Sequence, residues 1–202
     1  MQFEFFFDIS SPWTYIAFHN VRPIAEEYNV VIEWRPILVG GIFNTVNPSV
    51  YEFRANPVPA KLAYRDKDIA DWARASGLPL VWEPKVFPVN SVKAMRGCLV
   101  AERTGRLVDL ADVLFNLYWA EDRDISQDDV LSLGCERIGF DQQTFFDGIS
   151  EPAIKQQLKD NTEELMRRGG FGTPTMFVNK DDMYFGNDRL LLVREAFERG
   201  TR

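Results

Sequence analysis

The chain opens with Phe at positions 3, 5 and 7 and again at 6, interrupted by Glu4 and closed by Asp8. Apolar residues at both alternate and adjacent positions suit a strand covered on both faces, so residues 2–9 are predicted to form a central β-strand. The period then changes. Trp13, Ala17, Val21, Ile24 and Tyr28 recur every three or four residues, which predicts a helix over 12–28. Pro12 suits the first helical position and Ser11 the N-cap. Such a helix end attracts anions. Residues 30–38 read as a second strand, and a β-α-β unit implies parallel strands joined by a right-handed crossover.

Residues 40–59 are rich in Gly, Asn and Pro and are expected to form a long functional connection, with Asn44, Asn47 and Asn56 as candidate ligand contacts. Helical patterns follow over 61–73, over 90–103 with Asn90 or Ser91 as cap, and over 107–120, 126–138, 141–149 and 151–168. Ser126 and Asp129 look like a capping-box start. The stripe Leu110, Val113, Leu114, Leu117, Tyr118 and Trp119 reads as core. After Gly169-Gly170 come a strand through Val178, a turn at 179–182, a hairpin-paired strand at 183–185, and a terminal helix capped by Asn187 or Asp188. The expected α/β division is a sheet domain from segments 1–56 and 151–202, with an inserted all-helical domain over 57–150.

With 46% hydrophobic and 26% charged residues among 202, the composition is that of a soluble globular protein. No apolar run is long enough to span a bilayer, and the first residues carry no secretory signal, so no membrane partner and a cytoplasmic location are expected. A net charge of -7 argues against a nucleic-acid partner, so any anionic ligand must be held locally. Cys98 and Cys135 have no metal-ligand spacing and read as buried reduced thiols, and no metal site is expected. His19, the single histidine, shares the polar face of the first helix with Arg22 and Glu26 and is expected to be solvated rather than part of a triad with Ser11.

A serine before a helix is usually only structural. Here Ser11-Pro12-Trp13-Thr14 occupies the place of the C-P-x-C motif of DsbA-type, thioredoxin-like oxidoreductases, with both cysteines replaced by hydroxyls. Four ordered blocks are similar to the branch of that superfamily containing kappa-class glutathione transferases and 2-hydroxychromene-2-carboxylate isomerases. They are F-D-x-x-S-P-x-x-Y, K-x-x-Y-x-x-x-D-I-x-x-W-A, F-G-x-P-T-x-F and G-N-D-R-L. The resemblance implies a thioredoxin-like (DsbA/kappa-type) fold and a homodimer. It also implies Thr173-Pro174 as a cis-proline turn facing Ser11, and glutathione as cofactor.

By the same resemblance Ser11 is the catalytic residue. Asn47, Lys61, Thr173, Pro174, Asn187 and Asp188 would hold glutathione with it. Arg35 or Arg54 is the candidate cation for a small aromatic or unsaturated substrate. The implied function is a glutathione-dependent isomerase interconverting 2-hydroxychromene-2-carboxylate and trans-o-hydroxybenzylidenepyruvate in naphthalene-type catabolism. The rival readings are a kappa-class transferase or peroxidase and a noncatalytic glutathione-binding protein.

Overall fold

The computed structural model describes residues 1–200. The last two residues of the expected second sheet segment, 201 and 202, lie outside the described residues. Strand β1 (Phe3–Phe7) leads through a tight turn into α1 (Pro12–Glu27) and β2 (Ile32–Pro36). Helices α2 (Val39–Thr45), α3 (Ser49–Ala55) and α4 (Pro59–Ala75) follow. Next come α5 (Val92–Glu102), α6 (Leu107–Trp119), α7 (Asp128–Ile138), α8 (Gln142–Ser150) and α9 (Pro152–Arg167). The chain returns with β3 (Thr175–Val178), β4 (Asp182–Phe185), a 3-10 turn over Asn187–Arg189 and α10 (Leu190–Gly200).

The four strands run in the order β2-β1-β3-β4. β1 pairs in parallel with β2, Phe5 opposite Trp34, and antiparallel with β3, which forms a hairpin with β4. The central strand is buried along its whole length, as its double-sided apolar pattern predicts. Phe3, Phe5 and Phe7 point into the larger core, which runs without a break from the sheet through α1 into α5, α6, α7 and α8. Phe6 faces the other way, onto Val39, Ile42 and Leu165. Each such ring removed from water contributes roughly 1.5–3 kcal/mol. α5 and α8 cross closely because Gly97 leaves room: a Cβ there would sit 2.1 Å from the Phe145 ring.

Glu4 shares the Phe6 face, 4% exposed, and is neutralised by Arg168 at 2.6 Å, while Arg168 also lies 3.7 Å over the Phe177 ring. A buried carboxylate requires such a partner. Cys98 and Cys135 are free and buried, and burial pushes both thiols up, Cys135 to about 11. No helix among the described residues is long and apolar enough to cross a membrane.

Several local expectations are corrected. The 40–59 connection contains α2 and α3. The first is secured by Val39 and Ile42 in the core beneath Phe6, a long-range packing that overrides the Gly and Asn content. α7 starts at Asp128 rather than Ser126, because the Asp124 carboxylate accepts from Ser126 N at 3.0 Å and holds that residue in a turn. Neither Asn187 nor Asp188 caps a helix end; Gly186, at φ 101°, starts the 3-10 turn that contains both. Ser91 occupies the α5 N-cap position, yet Val92 N donates to Asn90 Oδ1.

His19 is half-buried rather than solvated. Arg22 donates to its Nδ1 at 2.7 Å, and Nε2 lies 3.4 Å from Asp112 on α6. Burial and the Arg22 charge hold its pKa below the usual imidazole value, against the opposing pull of Asp112.

Candidate active site

The β1–α1 turn opens onto a cleft of about 830 Å³. Ser11 is at the N-cap of α1 with extended backbone, φ -100° and ψ 122°, and Pro12 begins the helix behind it. Its Oγ accepts from Thr14 N at 3.2 Å and donates to the Thr173 carbonyl at 3.3 Å. Thr173 belongs to the turn entering β3, and its bond to Pro174 is cis. The Thr173 hydroxyl donates to Phe6 O at 3.1 Å, so in its 3.0 Å contact with Thr14 Oγ1 it is the acceptor. Two chain segments 162 residues apart thus meet through hydroxyl groups, at the positive end of a 16-residue helix.

The cleft walls are mainly apolar. Trp13, Phe43, Trp82, Phe87, Phe171 and Phe185 face it, with polar groups from Asn47, Arg54, Arg65, Asn90 and Ser91. Such a cavity, within the usual ligand-site range of about 300–1,000 Å³, suits an aromatic ring with a few oriented polar groups. Arg65 is engaged by Asp66 at 2.7 Å and Glu83 at 3.2 Å. Arg54 has no carboxylate partner among the described residues and lies 5.9 Å from the rings of both Phe43 and Phe87.

Of the residues singled out in the sequence, Ser11, Asn47, Thr173 and Arg54 all line this cleft, with Pro174 next to Thr173. Asn47 donates to Phe171 O at 3.1 Å, linking the α2–α3 corner to the segment entering β3. Lys61, exposed in the first turn of α4, is outside the lining, though its neighbour Leu62 is in it. Asn187 and Asp188 also fall outside it: Asn187 is 3% exposed and accepts from Asn20 at 3.0 Å, and Asp188 pairs with Arg189 at 2.8 Å. Arg35 is not at the cleft. It is held by Glu33 at 3.0 Å and by Glu164, with Glu4 at 3.9 Å, so its charge is already spent.

Sequence reasoning gave no role to Asp8, a buried carboxylate in the cleft floor, nor to Trp82. The signal for Asp8 was present, since a carboxylate directly after the apolar run Phe5-Phe6-Phe7 of a central strand has no solvent to face.

The chain is similar to named enzymes over nearly its whole length. The 2-hydroxychromene-2-carboxylate isomerase of Pseudomonas putida is 29% identical over 204 residues, covering 98% of this chain and 95% of that protein. Glutathione S-transferase kappa 1 of Homo sapiens is 27% identical over 205 residues, covering 94% and 88%. A solved structure of a 2-hydroxychromene-2-carboxylate isomerase superposes with a TM-score of 0.84 at 28% identity, covering 100% of this chain and 97% of the other. The DSBA-like thioredoxin domain matches residues 2–198, and the chain belongs to that family.

Proposed function

We propose that this protein is a glutathione-dependent isomerase that interconverts 2-hydroxychromene-2-carboxylate and trans-o-hydroxybenzylidenepyruvate in aromatic catabolism, working as a cytoplasmic homodimer. The observation that carries the reading is the placement of the Ser11 hydroxyl, between Thr14 N and the Thr173 carbonyl at the mouth of an aromatic cleft. This donor set fits a thiol tripeptide: a hydroxyl and a helix N-terminus for a sulfur anion, the main chain at Thr173 for a peptide, and space beside them for a ring. Bound glutathione supplies a thiolate that adds reversibly to an unsaturated carbon.

The remaining work belongs to the chain. The Ser11 hydroxyl turns about its Cβ–Oγ bond from the Thr173 carbonyl and donates to the sulfur, and the α1 N-terminus adds a favourable field. Lys61 and Asp188 hold opposite ends of the tripeptide, a carboxylate and the amino group respectively. Both are available for this. Lys61 has no ion-pair partner among the described residues, and an exposed pair such as Asp188–Arg189 holds weakly. Asn47 keeps two walls of the cleft in register, and Asn187, through its contact with Asn20, ties the turn that carries Asp188 to α1. Arg54 provides the local cation that a carboxylate substrate needs in a chain of net charge -7. Trp82 and Phe87, 5.9 Å apart, supply apolar faces for the substrate ring and exclude water.

A kappa-class transferase is the second reading, favoured by the similarity to the Homo sapiens protein. It would use the same thiol-holding groups but consume the thiol. Calorimetric titration with glutathione tests what the two share. Lys61→Ala and Asp188→Ala are each expected to raise the glutathione requirement more than they lower turnover, because their contacts exist in ground and transition states alike. An affinity unaffected by Lys61→Ala would reduce Lys61 to a surface lysine.

A further inference from the structure

The cleft floor contains a carboxylate that the chemistry above does not use. Asp8 is 1% exposed and lies three residues before Ser11. Its Oδ1 accepts from Ser10 N and its Oδ2 from Val39 N, both at 2.9 Å, and the hydroxyls of Ser10 and Ser91 lie close enough to favour its charged form. These donors come from three places: the β1–α1 turn, the first residue of α2 and the residue before α5. One side chain therefore ties together three walls of the cleft. The adjoining main chain is also held. Ser11 N donates to Asp8 O at 3.2 Å, and Trp119 Nε1 donates to Ile9 O at 2.8 Å.

Burial favours the protonated acid and the four donors favour the carboxylate, with desolvation the larger influence. A hydrocarbon of the same size would avoid that conflict. It would also leave the Ser10 and Val39 N–H groups without acceptors and the turn free to swing.

We propose that Asp8 is the positioning residue that aims Ser11, its carboxylate fixing the Ser10–Ser11 turn against the starts of α2 and α5. The proposal rests on the reading of Ser11 as the group that holds the thiolate. A purely electrostatic role has the opposite signature. An anion beneath the site repels a thiolate, so removing it would ease ionisation of the thiol, whereas losing the aim of Ser11 would hinder it.

Asp8→Asn separates the two. A carboxamide has one acceptor oxygen where two backbone N–H groups point at two, so one bond is lost whichever way the amide lies. The ultraviolet thiolate band of bound glutathione is titrated in wild type and variant, and affinity for S-methylglutathione reports an intact cleft. The expected result is retained S-methylglutathione affinity with an upward shift of the thiol midpoint, each unit meaning about tenfold less thiolate at neutral pH. A midpoint that stays or moves down overturns the proposal.

If saturating glutathione gives no thiolate in the wild type, the glutathione reading has failed, and ligand-free crystal structures then judge Asp8 by itself. A Ser11 Oγ displaced from Thr14 N or Thr173 O in Asp8→Asn supports the role, and one that keeps both bonds overturns it. If Asp8→Asn does not fold, Ser91→Ala removes a single strut and is expected to give a smaller upward shift. No shift in that variant also overturns the proposal.

Discussion

Replacing Ser11 by alanine removes one oxygen that serves the fold and the chemistry unequally. In the free protein the Oγ caps α1 through Thr14 N and makes a long bond to the Thr173 carbonyl. Loss of an N-cap costs about 0.5–2 kcal/mol. The 3.3 Å bond is at the weak end of the roughly 0.5–1.5 kcal/mol range for neutral pairs. The fold should therefore lose about 1–2 kcal/mol, which for a chain of this size lowers Tm by about 2–4 °C per kcal/mol. Against a bound thiolate the same hydroxyl makes a charge-assisted bond, worth about 1.5–3 kcal/mol. At about 1.4 kcal/mol per pKa unit, the bound thiol regains one to two units. Turnover at neutral pH should then fall roughly ten- to hundredfold, by loss of the ionised nucleophile, while the protein stays folded. The assay is a pH titration of the thiolate band at saturating glutathione, with thermal unfolding run in parallel. An unchanged thiol midpoint in a folded Ser11→Ala protein would remove Ser11 from the mechanism and direct attention to Thr14 or Ser10.

Two further outcomes follow from the geometry. Arg54→Ala should raise the KM for a carboxylate substrate by roughly tenfold or more while glutathione affinity stays the same, since a hydrogen bond to a charged group is worth about 1.5–3 kcal/mol; equal KM values would show that Arg54 is merely stacked on Phe43 and Phe87. His19 sits among Asp112, Arg22 and the rings of Tyr15 and Phe18, and its folded-state pKa is lowered. The unfolded chain then takes up this proton first as pH falls below about 6.5, so stability declines from there toward the lower folded-state pKa. Asp8, whose pKa is raised, acts with the opposite sign on further acidification, because the folded state takes up that proton first. Urea midpoints for His19→Gln should lose the decline just below pH 6.5, and an identical pH profile would contradict the assignment.

What could be read from the sequence was what local pattern determines. The Phe run and the Ser11-Pro12 junction specify a strand, a cap and a helix within a few residues, and they place Ser11 where it is found. Arg35 was only partly legible: Glu33, two residues before it on the same strand, pairs with it, but the second partner Glu164 lies 129 residues along the chain and no local pattern announces it. α2 was hidden for a similar reason. Its stability comes from Ile42 packing beneath Phe6 and from Val39 N bonding to Asp8, both contacts across the fold. The capping-box reading at Ser126 failed on a single competing acceptor, Asp124, two residues earlier. Lys61 and Asp188 carry family-like motifs, but both side chains lie outside the cleft lining, so their assignment depends on the ligand titrations.

The central claim is that a Ser11-held glutathione thiol acts catalytically and is regenerated. It is tested by following the ultraviolet spectrum of 2-hydroxychromene-2-carboxylate with the wild-type protein while free thiol is titrated in the same samples. The account predicts conversion that requires glutathione and leaves its concentration constant over many turnovers. Thiol loss in step with substrate loss, or no conversion at saturating glutathione, would contradict it.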